Sequence, residues 1–317
     1  MRINQKIKKT FLKDNKIIKN KKYNFKWKKR KLYIKLIENT KLKQFLIIFL
    51  LLILIIILFQ PKKIKQMKHV NMYISTHKDF DNNIIINPTY IILCDEKSQL
   101  KKEYKIDIIE TNKNNILYPK RRGYSEGSKI YPIWKSYKDG NLSSKYIGLF
   151  HYRRIFPFKN DIPELDKIFN DYDIIIKSRF QFRVTTREQY NQCHIAHFLD
   201  ESINIIQEKY PEYYPYAKSF LAKKWGYFCN IFIMKQDDFI KWGEFVFGVL
   251  LEFDKKYNLT SDEDIEKLMR NDTKKLNTFF DINYQSRVES FLMERIGNIF
   301  YEKHFHKRYE IETVDIK

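Results

Sequence analysis

A histidine and two arginines directly follow an apolar segment in the middle of the chain. Residues 145–150 read as a buried strand, and the residues after it are His151, Tyr152, Arg153 and Arg154. Arginine binds phosphate and carboxylate oxygens through paired hydrogen bonds and stays charged at every physiological pH. Two guanidinium groups and an imidazole at the end of a strand therefore predict a site for a diphosphate or a carboxylate. The alternative is a solvated turn with incidental basic residues.

The elements that must position this site alternate between two patterns along the chain. Short apolar runs bounded by polar residues predict buried strands, and longer amphipathic stretches predict helices. Thr186 and Gln189 fit a capping box at the start of one helix. This alternation is typical of α/β domains, which bind ligands at the carboxyl ends of strands. The predicted strands cover residues 70–75, 90–94, 145–150, 173–177 and 228–234, and the predicted helices cover residues 125–138, 186–208, 237–257 and 284–301.

Several motifs follow one another in an order known from one family. They are Ser75-Thr76-His77-Lys78, Trp134-Lys135, His151-Tyr152-Arg153-Arg154, and the segments 230–235 and 291–295. Together they resemble a glycosyltransferase-like family of capsular polysaccharide synthesis proteins, catalogued as a domain of unknown function, across residues 70–302. That family looks related to GT-A type glycosyltransferases. The resemblance therefore implies an α/β fold, a GT-A-like Rossmann-type mixed sheet flanked by helices, with a nucleotide-sugar as co-substrate.

The resemblance also implies roles for individual residues. The loop after the first strand and the arginine pair would bind the donor, and the histidine beside that pair would orient or protonate the leaving group. Two acidic residues are candidates for the general base that deprotonates the acceptor hydroxyl. The expected catalytic residues are Glu126, His151, Arg153, Arg154 and Asp200; the expected donor-binding residues are Thr76, His77, Lys78, Lys135, Arg153 and Arg154; and the expected acceptor-binding residues are His194 and Asn230.

No metal site is expected at the end of the strand formed by residues 145–150. GT-A enzymes commonly carry an Asp-x-Asp motif there, which holds a divalent metal on the diphosphate. In this chain a histidine–tyrosine–arginine triplet beginning at His151 takes that place. Two arginines can stabilise the developing phosphate charge without a metal. Asp171 and Asp173 do form an Asp-x-Asp pattern, but they precede a strand and are only a weak metal candidate, so a divalent metal is doubtful.

The positive charge of the chain is concentrated before the predicted domain. The net charge is +22, and about +15 of it lies within residues 1–43. Residues 45–59 are uninterrupted apolar residues, about long enough to cross a thin bilayer. Residues 44–61 are therefore predicted to form a single transmembrane signal anchor. The lysine excess before it favours a cytoplasmic N-terminus and a luminal or extracytoplasmic C-terminal domain.

The basic tail predicts contact with an anionic membrane leaflet rather than with nucleic acid, because it adjoins the anchor. The expected divisions are a basic tail (1–43), the anchor (44–61), a linker (62–69), the glycosyltransferase-like domain (70–302) and a C-terminal extension (303–317). The expected function is a membrane-anchored glycosyltransferase, with a hexosyltransferase favoured, that acts on a glycan or polysaccharide acceptor. The alternative is a non-catalytic carbohydrate- or phosphate-binding module on the same fold.

Overall fold

The computed structural model describes residues 44–45, 47–51, 68–81, 85, 87–158, 161–272 and 281–316, which belong to two units, residues 1–64 and 65–317. In the first unit the described residues are helical and exposed. The rest of the predicted anchor and the whole basic tail lie outside the described residues. Within the described ranges, no helix is both long and apolar enough to span a bilayer.

A mixed sheet occupies the centre of the second unit, as the alternating sequence pattern predicts. Nine of the described strands form one sheet. Seven of them lie in the order β10-β6-β9-β4-β1-β2-β3, while β5 pairs with the end of β4 and β11 pairs with β5. Strands β1 to β4 are mutually parallel, and β9 runs antiparallel between β4 and β6. The strands are β1 (Lys68–Ser75), β2 (Tyr90–Cys94), β3 (Asp107–Glu110), β4 (Ser144–His151), β5 (Arg154–Ile155), β6 (Ile174–Lys177), β7 (Phe180–Gln181), β8 (Trp225–Gly226), β9 (Phe232–Lys235), β10 (Arg308–Ile311) and β11 (Val314–Asp315).

Helices cover both faces of the sheet, because the central strands are apolar on both sides. The larger core lies on the face where α2, α5, α7 and α10 pack, and the smaller core includes Leu165 and Phe169 of α3. The helices are α1 (Arg121–Tyr124), α2 (Gly127–Lys138), α3 (Leu165–Asp171), α4 (Thr186–Cys193), α5 (Ala196–Lys209), α6 (Tyr214–Ala222), α7 (Gln236–Tyr257), α8 (Asp262–Asp272), α9 (Ile282–Gln285) and α10 (Val288–His304).

The observed element boundaries differ from the sequence prediction at several places, and three of these differences have a clear local cause. The predicted helix 186–208 is broken at His194, whose backbone is extended between α4 and α5. The capping box is formed by Thr185 and Glu188, one residue earlier than predicted, because the Thr185 side chain accepts the Glu188 N–H. The last predicted strand begins at Phe232 rather than at residue 228, since the two residues before Ile231 have left-handed backbone angles.

Strands β10 and β11, which lie within the segment 303–316, belong to the same sheet. Strand β10 pairs in parallel with β6, and β11 pairs antiparallel with β5. The Ile316 N–H also donates to the Arg153 carbonyl at 2.8 Å. The predicted C-terminal extension therefore contacts the β4–β5 hairpin, which carries Arg153 and Arg154, and holds it in place.

Candidate active site

A cavity of about 540 Å³ opens at the carboxyl ends of β1, β2 and β4. The three strands are parallel, and their register brings Ser75, Leu93 and His151 side by side at the end of the sheet. Chain segments that follow each strand form the floor, while α1, α2, α8 and α9 contribute the walls. This is the position at which open α/β sheets bind ligands. The main polar lining residues are Ser75, Thr76, His77, Asp95, Arg121, Arg122, Glu126, Lys129, His151, Arg153, Asp262 and Arg287.

Helix α1 carries Arg121 and Arg122 at the cavity wall, and contacts with α7 hold the helix in position. Lys120, just before the helix, forms a buried ion pair with Asp254 of α7. The Tyr124 hydroxyl donates to the same Asp254 carboxylate at 2.8 Å. Separating the partners of such a pair would leave a buried charge without compensation, so the pair resists changes in its geometry. The wall that bears the two arginines is therefore a rigid part of the domain.

Three of the five cavity cations have carboxylate partners. Lys129 Nζ lies 2.9 Å from Asp95 Oδ2, and both side chains are buried. Arg121 Nη1 is 4.0 Å from Asp262 Oδ2, and the Arg122 N–H donates to Asp262 Oδ1 at 2.9 Å. The Arg122 guanidinium also lies 3.4 Å from Glu266, outside the cavity lining. The charge of these three side chains is thus largely balanced within the protein.

The other two cations, Arg153 and Arg287, have no carboxylate partner within the described part of the chain. The Arg153 side chain is exposed and contacts the Tyr152 ring, with Cζ 5.4 Å from the ring centroid. Arg287 Nε donates to Ser125 Oγ at 2.9 Å and is half-buried. Guanidinium groups bind phosphate oxygens in pairs. Arg153 and Arg287 are therefore the cavity groups best suited to an anionic ligand.

Two histidines at the floor are uncharged at neutral pH. Burial, followed by the positive charges of Arg153, His77 and neighbouring arginines, lowers the pKa of His151 to about 3. The pKa of His77 is also lowered, first by partial burial and then by Lys129. The Arg153 N–H donates to His151 Nδ1 at 3.4 Å, which assigns the ring proton to Nε2. His151 thus presents an N–H donor rather than a positive charge.

Two residues that line the cavity also have buried polar atoms without partners in the described chain. Asp95 Oδ1 and Ser75 Oγ are buried and have no hydrogen-bond partner among the described residues. Ser125, between α1 and α2, has a strained backbone, with φ 49° and ψ −117°. Buried polar atoms are normally satisfied, and strained residues concentrate at functional sites. These features indicate that the cavity is built for a ligand with hydroxyl or amide groups.

Glu126 connects the cavity to a second cluster around the start of β9. The Asn230 side-chain amide donates to Glu126 Oε1 at 3.1 Å. Cys229 and Asn230 both have left-handed backbone angles, with φ 77° and 47°. The Cys229 N–H donates to Glu294 Oε1 at 2.8 Å, which holds this unusual turn. Glu126 is therefore fixed from one side and open to the cavity on the other.

The structure brings some of the predicted site residues to the cavity and leaves others elsewhere. Thr76, His77, Glu126, His151 and Arg153 line it, and Asn230 contacts it through Glu126. Thr76 is buried, and its hydroxyl donates to the Lys78 carbonyl at 2.5 Å, so it shapes the loop after β1.

Lys78, Lys135 and Arg154 do not line the cavity. Lys78 is exposed, with Nζ 5.6 Å from the Tyr152 ring centroid. Lys135 is paired with Asp139 at 3.0 Å in the last turn of α2. Arg153 lies in the turn between β4 and β5, whereas Arg154 begins β5. Its Nη1 instead lies 3.4 Å from Cys229 Sγ.

Asp200 and His194 also lie away from the cavity lining. Asp200 is exposed on α5 and forms an ion pair with Arg187 of α4. His194 is 6% exposed and stacks on Phe291, with ring centroids 3.9 Å apart. Burial lowers its pKa to about 3. The geometry thus leaves Glu126 as the one predicted base that faces the cavity, while His194 serves as a packed core residue.

The residues at the end of β4 do not fit a divalent cation. This position offers a neutral imidazole and two guanidinium groups, whereas hard divalent cations prefer carboxylate oxygens. Asp173 precedes β6, so it lies at the opposite edge of the sheet, where its carboxylate accepts the backbone N–H groups of His306 and Lys307. Asp171 is exposed at the end of α3. Within the described ranges, no group of three or more metal-binding side chains occurs.

Several cavity residues were not predicted from the sequence. Asp95 follows a correctly predicted strand, so its position at a strand end could have identified it. Arg287 belongs to the motifs that resemble the family, but no spacing links it to the arginine pair. Arg121, Arg122 and Lys129 stand in a generally basic sequence, where single lysines and arginines carry little information.

The fold and the cavity define an α/β domain of the class whose ligand sites lie at the carboxyl edge of parallel strands. The chain belongs to the family described as "Domain of unknown function (DUF4422)", which matches residues 71–271. The family resemblance drawn from the sequence motifs is thereby confirmed. No curated protein sequence matches the chain.

Solved structures show that the fold is glycosyltransferase-like. The chain is similar to WbbM, a bifunctional glycosyltransferase in its apo form, with a TM-score of 0.59 and 19% identity. That match covers 79% of this chain and 46% of WbbM, so the chain spans about half the length of this relative. Core-mannan synthase A (CmsA/Ktr4) from Aspergillus fumigatus, in its Mn/GDP form, is a much weaker match, with a TM-score of 0.29 and 10% identity. That match covers 76% of this chain and 71% of the synthase.

Proposed function

We propose that this domain is a glycosyltransferase that moves a sugar, a hexose in the favoured case, from a nucleotide-sugar to a glycan or polysaccharide acceptor. The observation that carries the proposal is the cavity at the ends of β1, β2 and β4, where Arg153 and Arg287 face the opening without carboxylate partners in the described chain. Its volume of about 540 Å³ lies in the usual range for small-molecule sites. The glycosyltransferase-like fold supports the same class of ligand.

The charges of the cavity support the following position for the donor. The diphosphate binds between Arg153 and Arg287, where its negative charge offsets two cations. A ribose hydroxyl donates to Asp95 Oδ1, the buried oxygen that has no partner among the described residues. An acidic residue at the end of the second parallel strand, about 20 residues beyond the first, commonly binds ribose in nucleotide-binding folds. Lys129 holds the other Asp95 oxygen at 2.9 Å and so fixes its orientation.

The chemistry follows from this placement. As the bond between the anomeric carbon and the phosphate oxygen breaks, its electron pair remains on the nucleoside diphosphate. Arg153 and Arg287 stabilise that charge, and His151 donates a hydrogen bond from Nε2. Fixed donors of this kind are worth more in the transition state than in the ground state. The acceptor hydroxyl forms the new bond to the anomeric carbon and passes its proton to Glu126, which Asn230 holds in place.

The same proposal includes the position of the protein relative to a membrane. The apolar segment 45–59 anchors the protein in a membrane, and the basic residues before it stay in the cytoplasm and contact anionic lipid. The catalytic domain then lies on the luminal or extracytoplasmic side. The support for this arrangement is the distribution of charge and apolar residues in the sequence.

Calorimetric titration tests the donor site directly. The purified full-length chain is titrated with UDP, GDP, ADP and dTDP, and we expect one of them to bind with micromolar affinity. Arg153→Gln should weaken that binding at least about tenfold, since hydrogen bonds to charged groups contribute about 1.5–3 kcal/mol. Arg187→Gln is the matched control, because its guanidinium is paired with Asp200 outside the cavity.

Turnover separates an enzyme from a binding module. The corresponding nucleotide-sugars are incubated with the full-length chain, and release of the nucleoside diphosphate is measured. Release that is lost in Glu126→Gln, while nucleotide affinity is retained, supports the transferase. Binding without any release would favour the non-catalytic module on the same fold. If none of the four nucleotides binds, the donor site itself is wrong.

A further inference from the structure

Two more basic residues, Lys177 and Arg154, lie outside the cavity lining and contact the segment 229–231. Arg154 Nη1 is 3.4 Å from Cys229 Sγ. Lys177 ends β6, and its N–H donates at 3.1 Å to the carbonyl of Ile231, two residues beyond Cys229. The positive charges of both side chains act on the Cys229 thiol. Since β6 is antiparallel to β9, which is antiparallel to β4, Lys177 ends at the same edge of the sheet as His151.

Lys177 is a buried cation without a counter-ion. The residue is 7% exposed, and no carboxylate lies within ion-pair distance of its ammonium among the described residues. Its one close partner is the Phe180 ring, whose centroid is 4.1 Å from Nζ. A ring face satisfies one side of the ammonium, which has three donors. An ammonium with unfilled donors and no nearby carboxylate among the described residues is suited to an anionic ligand.

Arg154 adds a second positive charge that is only weakly balanced. Its Nε lies 3.5 Å from Asp315 Oδ1, but the Asp315 side chain is 77% exposed. Exposed pairs of this kind contribute little, because water screens them. Cys229 sulfur is a weak hydrogen-bond acceptor. The Arg154 guanidinium therefore keeps donors that an incoming carboxylate or phosphate can take.

The acidic residues of this cluster do not cancel the two cations. Glu294 pairs with the buried Arg295 at 3.0 Å and accepts the Cys229 N–H, so its charge is already balanced. Glu126 faces the cavity, where Asn230 holds it. Glu126 thus lines the donor cavity and accepts a hydrogen bond from Asn230, the residue next to Cys229.

We infer that Lys177 and Arg154 form a subsite for an anionic group, a carboxylate or a phosphate, on the acceptor sugar. This inference rests on the proposed glycosyl transfer, and it specifies the acceptor class: an acidic saccharide, such as one containing a uronic acid or a sugar phosphate. The anionic group anchors the acceptor beside Cys229 and leaves a hydroxyl near Glu126. Arg153 and Arg154, adjacent in sequence, then serve the donor and the acceptor respectively.

Saccharide binding to the purified full-length chain tests the subsite. Ligand-detected NMR measures affinities for methyl β-D-glucuronide, glucose 6-phosphate and methyl β-D-glucoside. We expect at least one charged probe to bind about tenfold tighter than the neutral glucoside, as one charge-assisted contact predicts. Lys177→Met and Arg154→Gln should each remove this preference. Lys218→Met is the matched control, because Lys218 lies over the Tyr214 ring on α6, with Nζ 4.3 Å from its centroid.

The outcomes separate this inference from the donor site. Retention of the charge preference in Arg153→Gln supports a distinct subsite, whereas its loss there would place the anion in the donor cavity and overturn the inference. Equal affinity for charged and neutral probes would also overturn it. If thermal denaturation shows that Lys177→Met folds poorly, Arg154→Gln provides an independent result, because Arg154 is only half-buried. None of these measurements requires a nucleotide, so failure of the donor proposal would leave them interpretable.

Discussion

The side-chain amide of Asn230 donates a hydrogen bond to Glu126 Oε1 at 3.1 Å, across a separation of more than a hundred residues. Sequence reasoning assigned these residues to different tasks, acceptor binding and proton transfer. Their contact makes Asn230 a positioning residue for the proposed base. The backbone of Asn230 is left-handed, a conformation that asparagine adopts more readily than other residues with a Cβ atom.

Replacing this amide should reduce turnover more than donor affinity. Asn230→Asp keeps the size and the backbone preference of the residue but removes the donor and adds a charge that repels Glu126. We expect kcat to fall about tenfold or more, in the range typical of general-base catalysis, with nucleotide affinity unchanged. The pH profile of kcat should shift to higher pH, because a nearby negative charge raises the pKa of a carboxyl group.

The matched control for that variant is Asn258→Asp. Asn258 also has a left-handed backbone, with φ 53°, but it ends α7 away from the cavity lining. Steady-state kinetics on both variants checks the prediction. An equal loss of kcat in the two proteins would mean that the effect comes from the backbone position, and Asn230 would then have no role in orienting Glu126.

Arg287 should contribute more to diphosphate binding than Arg122, although both line the cavity. Arg122 already pairs with Glu266 at 3.4 Å, whereas the contacts of Arg287 among the described residues are with Ser125 and the ring of Phe291, and none is with a carboxylate. Arg287→Gln should weaken pyrophosphate binding about tenfold or more, and Arg122→Gln should weaken it by less than about threefold. Calorimetry with inorganic pyrophosphate measures both. Similar losses would show that carboxylate pairing does not determine which arginine binds the ligand.

Anion binding should become stronger as the pH falls. The free protein holds the pKa of His151 at about 3, partly because of the surrounding arginines. A bound anion offsets that positive charge and raises the pKa, so the complex binds more protons than the free protein. Affinity must then rise as the pH drops through the pKa of the bound state.

Sulfate is a suitable probe for this effect, because it does not titrate between pH 5 and 8. Calorimetry in buffers of different ionisation enthalpy reports the protons taken up on binding. We expect proton uptake in the wild-type protein and a smaller uptake in His151→Gln. Proton release, or the same uptake in the variant, would contradict the assignment of this linkage to His151.

The core histidine His194 should make the domain sensitive to acid. Burial holds its folded pKa at about 3, below the unfolded value of about 6.5. Between these values the unfolded chain binds the extra proton, so the free energy of unfolding is complete above pH 6.5 and falls as the pH drops toward 3. The maximum slope for one such group is about 1.4 kcal/mol per pH unit.

His194→Phe should flatten that dependence, because a phenyl ring can stack on Phe291 without titrating. His151 contributes a slope of the same sign, so the dependence is reduced rather than abolished. Denaturant unfolding at pH 7 and pH 5 provides the measurement, with His306→Gln on an exposed turn as control. An unchanged slope in His194→Phe would show that this residue is not the source.

The parts of the fold that follow local patterns were predictable. Strand β2 was predicted with its observed limits, since Tyr90–Cys94 is a fully buried apolar run between polar residues. Strand β10 was missed because Arg308–Ile311 lies at the sheet edge, where none of its residues is fully buried and no alternation appears. The helix break at His194 was also missed, since the amphipathic pattern continues across it and the break depends on ring packing.

The candidate site was predictable only where it lies on one strand end. Residues 151–153 follow β4 directly, and their chemistry is visible in the sequence. Arg287 reaches the cavity because α10 packs against α1 and Arg287 donates to Ser125, contacts that depend on tertiary packing rather than on local spacing. The divergence of Arg153 and Arg154 follows from the β5–β11 pairing, and sequence alone could not show it because the partner strand had not been recognised.

The pairing of β11 with β5 has a consequence for the order in which the molecule matures. The Ile316 N–H binds the Arg153 carbonyl, about 160 residues earlier in the chain, so this contact closes a very long loop. During synthesis β1 to β4 can assemble from neighbouring segments, since chains begin to fold from the N-terminal side. The arginine hairpin is clamped only after residue 316 has left the ribosome. A nascent chain should therefore assemble the parallel strands β1 to β4 before the loop that carries Arg153 is held in place.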